Sequence, residues 1–97
     1  MIKVLVSPKV IKLINDYAIQ LSKFSGYSET GLNFKKQCFQ KIESLILFPE
    51  RCRQYTNYTD FRELIVGDFL ILYRYEEKSK TVYVANMKNA KQKNYKN

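Results

Sequence analysis

Apolar residues change their spacing twice along this chain, from alternating to helical after Val6 and back to alternating after Pro49. Those changes divide it into a strand, a pair of helices and a sheet. Ile2 to Val6 is β-branched and Leu-rich and ends at Ser7-Pro8, where serine caps a helix and proline suits its first turn. From there Val10, Ile14, Tyr17, Ala18, Leu21 and Phe24 recur at helical spacing, predicting one buried stripe and a stop near Gly26. A second helical pattern follows Ser28 to Gly31: Phe34, Cys38, Ile42, Leu45 and Ile46 on one face, Lys35, Lys36, Lys41 and Glu43 around the other. Pro49 closes it. The two patterns predict an antiparallel helical hairpin.

The second half alternates. Arg51 to Tyr55 does so weakly, and Phe61 to Val66 does so with Phe61, Glu63 and Ile65 opposite Arg62, Leu64 and Val66. Gly67-Asp68 is the turn-prone pair of a two-residue hairpin. Phe69 to Tyr75 is apolar on nearly both faces, as a central strand is. Glu76 to Lys80 turns the chain into a last strand, Thr81 to Met87. The expected fold is α+β in the order β-α-α-β-β-β, a single domain over residues 1–97, with the hairpin packed on one face of a small, mainly antiparallel sheet. The other face is expected to be partly open, lined by Arg62 and Arg74, with a basic tail at its margin. Phe39, Phe48 and Tyr55 are expected in or at the edge of the core, and Tyr73 and Tyr75 are expected to pack.

Charge sharpens this picture. The chain carries 17 Lys and Arg against 9 acids, a formal +8. All four arginines, Arg51, Arg53, Arg62 and Arg74, fall in the second half, and from Lys88 to Asn97 there are four lysines, no acid and one aromatic, Tyr95. A cationic surface of this kind favours phosphate or another anionic partner. Several chemistries are excluded. With no histidine and only Cys38 and Cys52, structural zinc has no ligand set. Asp60, Glu63 and Asp68 need not converge, so no metal is expected, and none of Gly26, Gly31 and Gly67 stands in a phosphate-loop context. The apolar run at the N-terminus is too short for a signal or membrane span, which predicts a cytoplasmic protein with two free thiols, Cys38 buried on a helix.

In this order of elements, with VSPKVIKLINDYA at the start, LFPERCR between helix and sheet, and FRELIVGDFLILYRY before a final strand and a basic, Tyr-containing end, the chain resembles the RelE/ParE superfamily of bacterial toxins. The resemblance implies a toxin of a type II toxin–antitoxin module, held inactive by a cognate antitoxin and needing no cofactor. Two activities stay open. Many members cleave mRNA on the ribosome, whereas the ParE-like branch inhibits DNA gyrase without being a nuclease. Ribosome-dependent mRNA cleavage is the expectation favoured by the basic tail.

Cleavage by a metal-independent endoribonuclease requires a base for a 2′-hydroxyl, a cradle for phosphoryl charge and an acid for the leaving oxygen. Without histidine those roles would fall to Arg62, Lys88, Lys91 and Tyr95, with Arg51, Arg53, Arg74, Lys93 and Lys96 holding RNA. One departure matters: where nucleolytic members follow an aromatic residue with an arginine at the start of the central strand, this chain has Phe69-Leu70.

Overall fold

The computed structural model describes residues 1–50, 52, 54 and 60–90. Its order is β1 (Lys3–Val6), α1 (Pro8–Ser25), α2 (Ser28–Glu43), a 3-10 turn (Ser44–Ile46), β2 (Arg62–Val66), β3 (Phe69–Glu76) and β4 (Thr81–Asn89). The four strands form one mixed sheet in the order β1-β4-β3-β2, with β1 parallel to β4 and the other pairs antiparallel. The expected α+β class and element order are both present.

Local chemistry sets the boundaries. Ser7 Oγ accepts the Val10 N–H at 3.2 Å, Pro8 opens α1, and Gly26, in the left-handed region at φ 85°, ends it. The segment Ser28 to Gly31, expected to precede the second helix, is instead the first turn of α2. Serines of α1 make this possible by serving the free groups of the next helix: Ser22 Oγ accepts the Gly31 N–H at 2.8 Å and donates to the Ser28 carbonyl, and Ser25 Oγ bonds Thr30 Oγ1 at 2.7 Å. Gly31 itself is a close-approach residue. A Cβ there would collide with the Ala18 carbonyl and lie 2.6 Å from Ser22 Oγ.

The helices lie on the face of the sheet that presents Val82, Val84 and Met87 of β4, Phe69, Ile71 and Tyr73 of β3, and Leu64 and Val66 of β2. Val10, Ile14 and Ala18 come down from α1, and Phe34, Cys38 and Ile42 from α2. Phe69 sits between the helices, its ring 4.6 Å from that of Tyr17 and 4.9 Å from that of Phe34, both tilted. Two expected core aromatics are elsewhere. Phe24 is 92 % exposed, because the buried stripe runs Val10, Ile14, Ala18 to Ser22 against α2, and a residue two beyond Ser22 falls on the far side of the helix. Phe48 is also exposed; Leu45 fills the core, and Ile46, Leu47 and Phe48 turn outward after it. Phe39 is half-buried at the core edge, and Tyr55 lies outside the described residues.

Both thiols are free, and Cys38 is fully enclosed. Burial pushes it from an ordinary 9.0 up to about 11. The unfolded chain ionises this thiol near 9 while the folded one keeps its proton, so its contribution is whole below pH 9 and is lost as pH rises through about 11. Two units correspond to roughly 2–3 kcal/mol. Urea unfolding at about pH 8 and about pH 11 is expected to show a larger alkaline loss in the native chain than in Cys38→Ala. Equal losses would mean that the thiol ionises freely in the fold.

Candidate functional site

The two-residue turn at Gly67-Asp68 determines which side chains share the uncovered face. Gly67 takes φ 58° there, the positive angle that a II′ hairpin requires at its first central position. The turn pairs Val66 with Phe69, and counting back in steps of one pairs Leu64 with Ile71 and Arg62 with Tyr73. Arg62 therefore belongs to the helix-covered side, with Leu64 and Val66. Arg74, one residue on from Tyr73, belongs to the open side with Leu70 and Leu72. This corrects the expectation that both arginines line the open face.

Arg62 is engaged where it stands. One guanidinium nitrogen donates to the Cys52 carbonyl at 2.7 Å and to the Glu50 carbonyl at 3.1 Å, and the other lies 3.9 Å from the Glu50 carboxylate. The clasp ties the chain leaving the 3-10 turn to the start of β2, where Gln54 also bridges Arg62. Bonds from a charged donor are the stronger kind, whereas the loose contact to a 65 % exposed carboxylate adds little. Arg62→Ala is expected to lower stability by about 2 kcal/mol, and Arg62→Lys to recover only part of it, because an ammonium lacks the planar fork. Urea midpoints of the two variants give the comparison; a full recovery by lysine would remove the forked geometry from the account.

A second device acts on β4. Tyr73 pairs with Val84 and Leu72 with Asn86, leaving Ala85 as an extra residue between them. This bulge resets the alternation, so that Val82 and Val84 before it and Met87 after it all face the helices. Asn86 and Lys88 are thereby placed on the open side, Lys88 opposite Leu70. Phe61, Leu72, Ala85 and Asn86 line a small cavity there of about 270 Å³. Arg74 stacks over the ring of Tyr83, its cross-strand neighbour, at 4.5 Å. Glu63 is buried on the same face, opposite Leu72.

Of the expected site residues, the described fold thus brings Arg74 and Lys88 onto one face, four strand positions or about 13 Å apart. It sends Arg62 to the other. Leu70 and Ile65 form an apolar patch beside Lys88, at the place where the resemblance leads one to look for an arginine. Arg51, Arg53, Lys91, Lys93, Tyr95 and Lys96 lie outside the described residues. Tyr83 and the cavity residues were not anticipated from the sequence; the phase slip from Val84 to Met87 was the available signal. Among the described residues no group of three or more His, Cys, Asp or Glu is placed to hold a metal ion. No described helix is long and apolar enough to cross a membrane.

A helical hairpin on a mixed four-stranded sheet, with a basic, partly apolar open face, is the architecture expected of a toxin from a type II toxin–antitoxin module. The comparison with protein families agrees. The model of the ParE toxin of the type II toxin–antitoxin system parDE matches residues 4–93, and the chain belongs to that family. Membership carries with it a cognate antitoxin as partner. A search of curated proteins found no match to this chain.

Proposed function

We propose that this toxin acts by binding its target and not by cutting RNA, and that the target is DNA gyrase, as in the ParE-like branch of the superfamily. The observation that carries this reading is the hairpin register. It commits the Arg62 guanidinium to the carbonyls of Glu50 and Cys52 on the helix side, away from Arg74 and Lys88, while Leu70 supplies no charge to the open face. A phosphate cradle needs cations that converge. A protein-binding face needs apolar anchors with a charged rim, and Leu70, Leu72, Ile65 and the cavity beside Phe61 are such anchors, with Arg74, Tyr83 and Lys88 around them.

The second reading, ribosome-dependent mRNA cleavage, is favoured by the presence of Arg74 and Lys88 on one face. It would place the chemistry on these two and on Lys91 and Tyr95, with Arg62 in a positioning role.

One preparation tests both. Purified toxin is added to a gyrase supercoiling reaction and, separately, to translating ribosomes on a defined mRNA with primer extension to map ends. Blocked supercoiling with intact mRNA is the expected result; ribosome-dependent cuts with unaffected gyrase would overturn the proposal. Arg74→Ala is expected to weaken gyrase inhibition by about 2 kcal/mol, some thirtyfold. Its effect on folding should stay below about 1 kcal/mol, the value of an exposed cation–π contact.

A further inference from the structure

The alternation of β3 sets three rungs at equal spacing on the open face. Leu70 stands opposite Lys88, Leu72 opposite Asn86, and Arg74 opposite Tyr83. Successive rungs are two residues apart, about 7 Å along the strand. The middle rung is apolar and hollow, because Leu72 and Asn86 line the cavity of about 270 Å³ with Phe61 and Ala85. Each outer rung carries a cation, Lys88 on one side and Arg74 on the other. The order along the face is therefore cation, apolar hollow, cation.

The polar groups around the hollow offer hydrogens. Among the described residues Arg74 makes no hydrogen bond and no ion pair; its contact is the stack on Tyr83, which holds the guanidinium over the ring and leaves its N–H groups for a ligand. Asn86 has its side-chain oxygen taken by the Met87 N–H at 2.8 Å, so its amide hydrogens remain. The acids of this face are withdrawn: Glu63 is buried, and a Glu76 carboxylate oxygen accepts from Ser79 Oγ at 2.9 Å. Asp60 and Glu77 line the cleft on the far side of Phe61 without pairing with Arg74. The formal +8 of the chain adds a long-range pull in the same sense.

We infer that the open face takes an acidic, extended segment of its partner, in which one apolar side chain fills the hollow beside Phe61 and carboxylates two residues to either side meet Arg74 and Lys88. Alternate residues of an extended chain are spaced as the rungs are, so such a segment meets all three without bending. The apolar side chain is the anchor, and the two carboxylates fix its register. On the gyrase reading above, on which this rests, the segment belongs to gyrase.

Binding of the purified full chain to gyrase holoenzyme free of DNA, measured by interferometry, tests it in the native chain, Ala85→Val, Ala85→Leu and Arg74→Glu, with urea unfolding to show that each is folded. Ala85 is not among the positive-φ residues, so its backbone accepts a larger side chain. Ala85→Leu fills the hollow and is expected to weaken binding about thirtyfold, Ala85→Val less, and Arg74→Glu about a hundredfold, because it replaces a donor by a like charge. A chain carrying p-benzoylphenylalanine in place of Ile65, which is 55 % exposed beside the site, is then photo-crosslinked to gyrase. The linked gyrase peptide is expected to hold an apolar residue with Asp or Glu two positions to each side. Native-strength binding by both Ala85→Leu and Arg74→Glu, a linked peptide without acids, or an Arg74→Glu effect that appears only with DNA present would each overturn the inference while the gyrase reading stands. A native chain that neither binds gyrase nor blocks supercoiling would overturn both.

Discussion

Replacing Gly31 by alanine is expected to lower the unfolding free energy by about 2–3 kcal/mol, although it adds a single methyl group to a helix. The added carbon would meet the Ala18 carbonyl, which is backbone of α1 and cannot rotate away, and Ser22 Oγ at 2.6 Å. Relief requires the two helices to separate, an overpacking cost of about 1–3 kcal/mol. Separation also stretches the 2.8 Å bond from the Gly31 N–H to Ser22 Oγ, for about 1 kcal/mol more. The better helix propensity of alanine returns at most about 1 kcal/mol. For a chain of this size the net loss lowers Tm by roughly 10–20 °C. Gly26→Ala is the useful comparison: its φ of 85° strains any other residue, yet nothing lies within 4 Å of the new carbon. It should lose only about 1 kcal/mol. If the two substitutions cost the same, the helix crossing is looser than the packing describes.

A larger effect is expected at Tyr73, and its sign depends on what is removed. Tyr73→Ala empties the centre of β3 beneath both helices, and loss of a buried aromatic ring costs about 3–5 kcal/mol through lost burial and the cavity left behind. Tyr73→Phe keeps the ring and takes away only the hydroxyl, which is buried with no hydrogen-bond partner among the described residues. That variant should be as stable as the native chain or more stable by about 1 kcal/mol, because the penalty of a desolvated orphan goes with it. Calorimetry of both variants checks the pair of signs. A Tyr73→Phe protein destabilised by more than about 1 kcal/mol would mean that the hydroxyl has a bonding partner in the fold.

Much of this fold was legible because its signals are local. Ser7-Pro8, Gly26 and Gly67-Asp68 each sit where the expected boundary falls, and the switch from helical to alternating spacing separates helices from sheet. Ser28 to Gly31 fell outside the expected second helix, whose apolar spacing starts at Phe34, and serine, threonine and glycine favour turns. Their role here depends on a second helix whose carbonyl backbone they approach, which no local window contains. The candidate site was only partly legible. The register that separates Arg62 from Arg74 follows from a two-residue turn and a period of two, and both were in view; counting across the hairpin was the step that decides it. The bulge at Ala85 left a fainter trace, an apolar spacing of three where two was due. The cavity beside Phe61 and the Arg74–Tyr83 stack depend on cross-strand neighbours and have no signature along the chain.

The parallel pairing of β1 with β4 bears on when the molecule can exist during its own synthesis. Lys3 to Val6 join Thr81 to Val84, so the two ends of the sheet's connectivity meet last, across nearly the whole chain. The helical hairpin is made early, but the surface it must cover, with Phe69 between Tyr17 and Phe34 and with Val82 and Val84 beneath α1, emerges from the ribosome only afterwards. A nascent chain halted before β4 has α1 without Val82 and Val84 beneath it and a first strand with no neighbour. There is therefore no complete sheet, and no folded toxin to restrain, until β4 has been synthesised, and the antitoxin's first encounter with the fold comes after that strand.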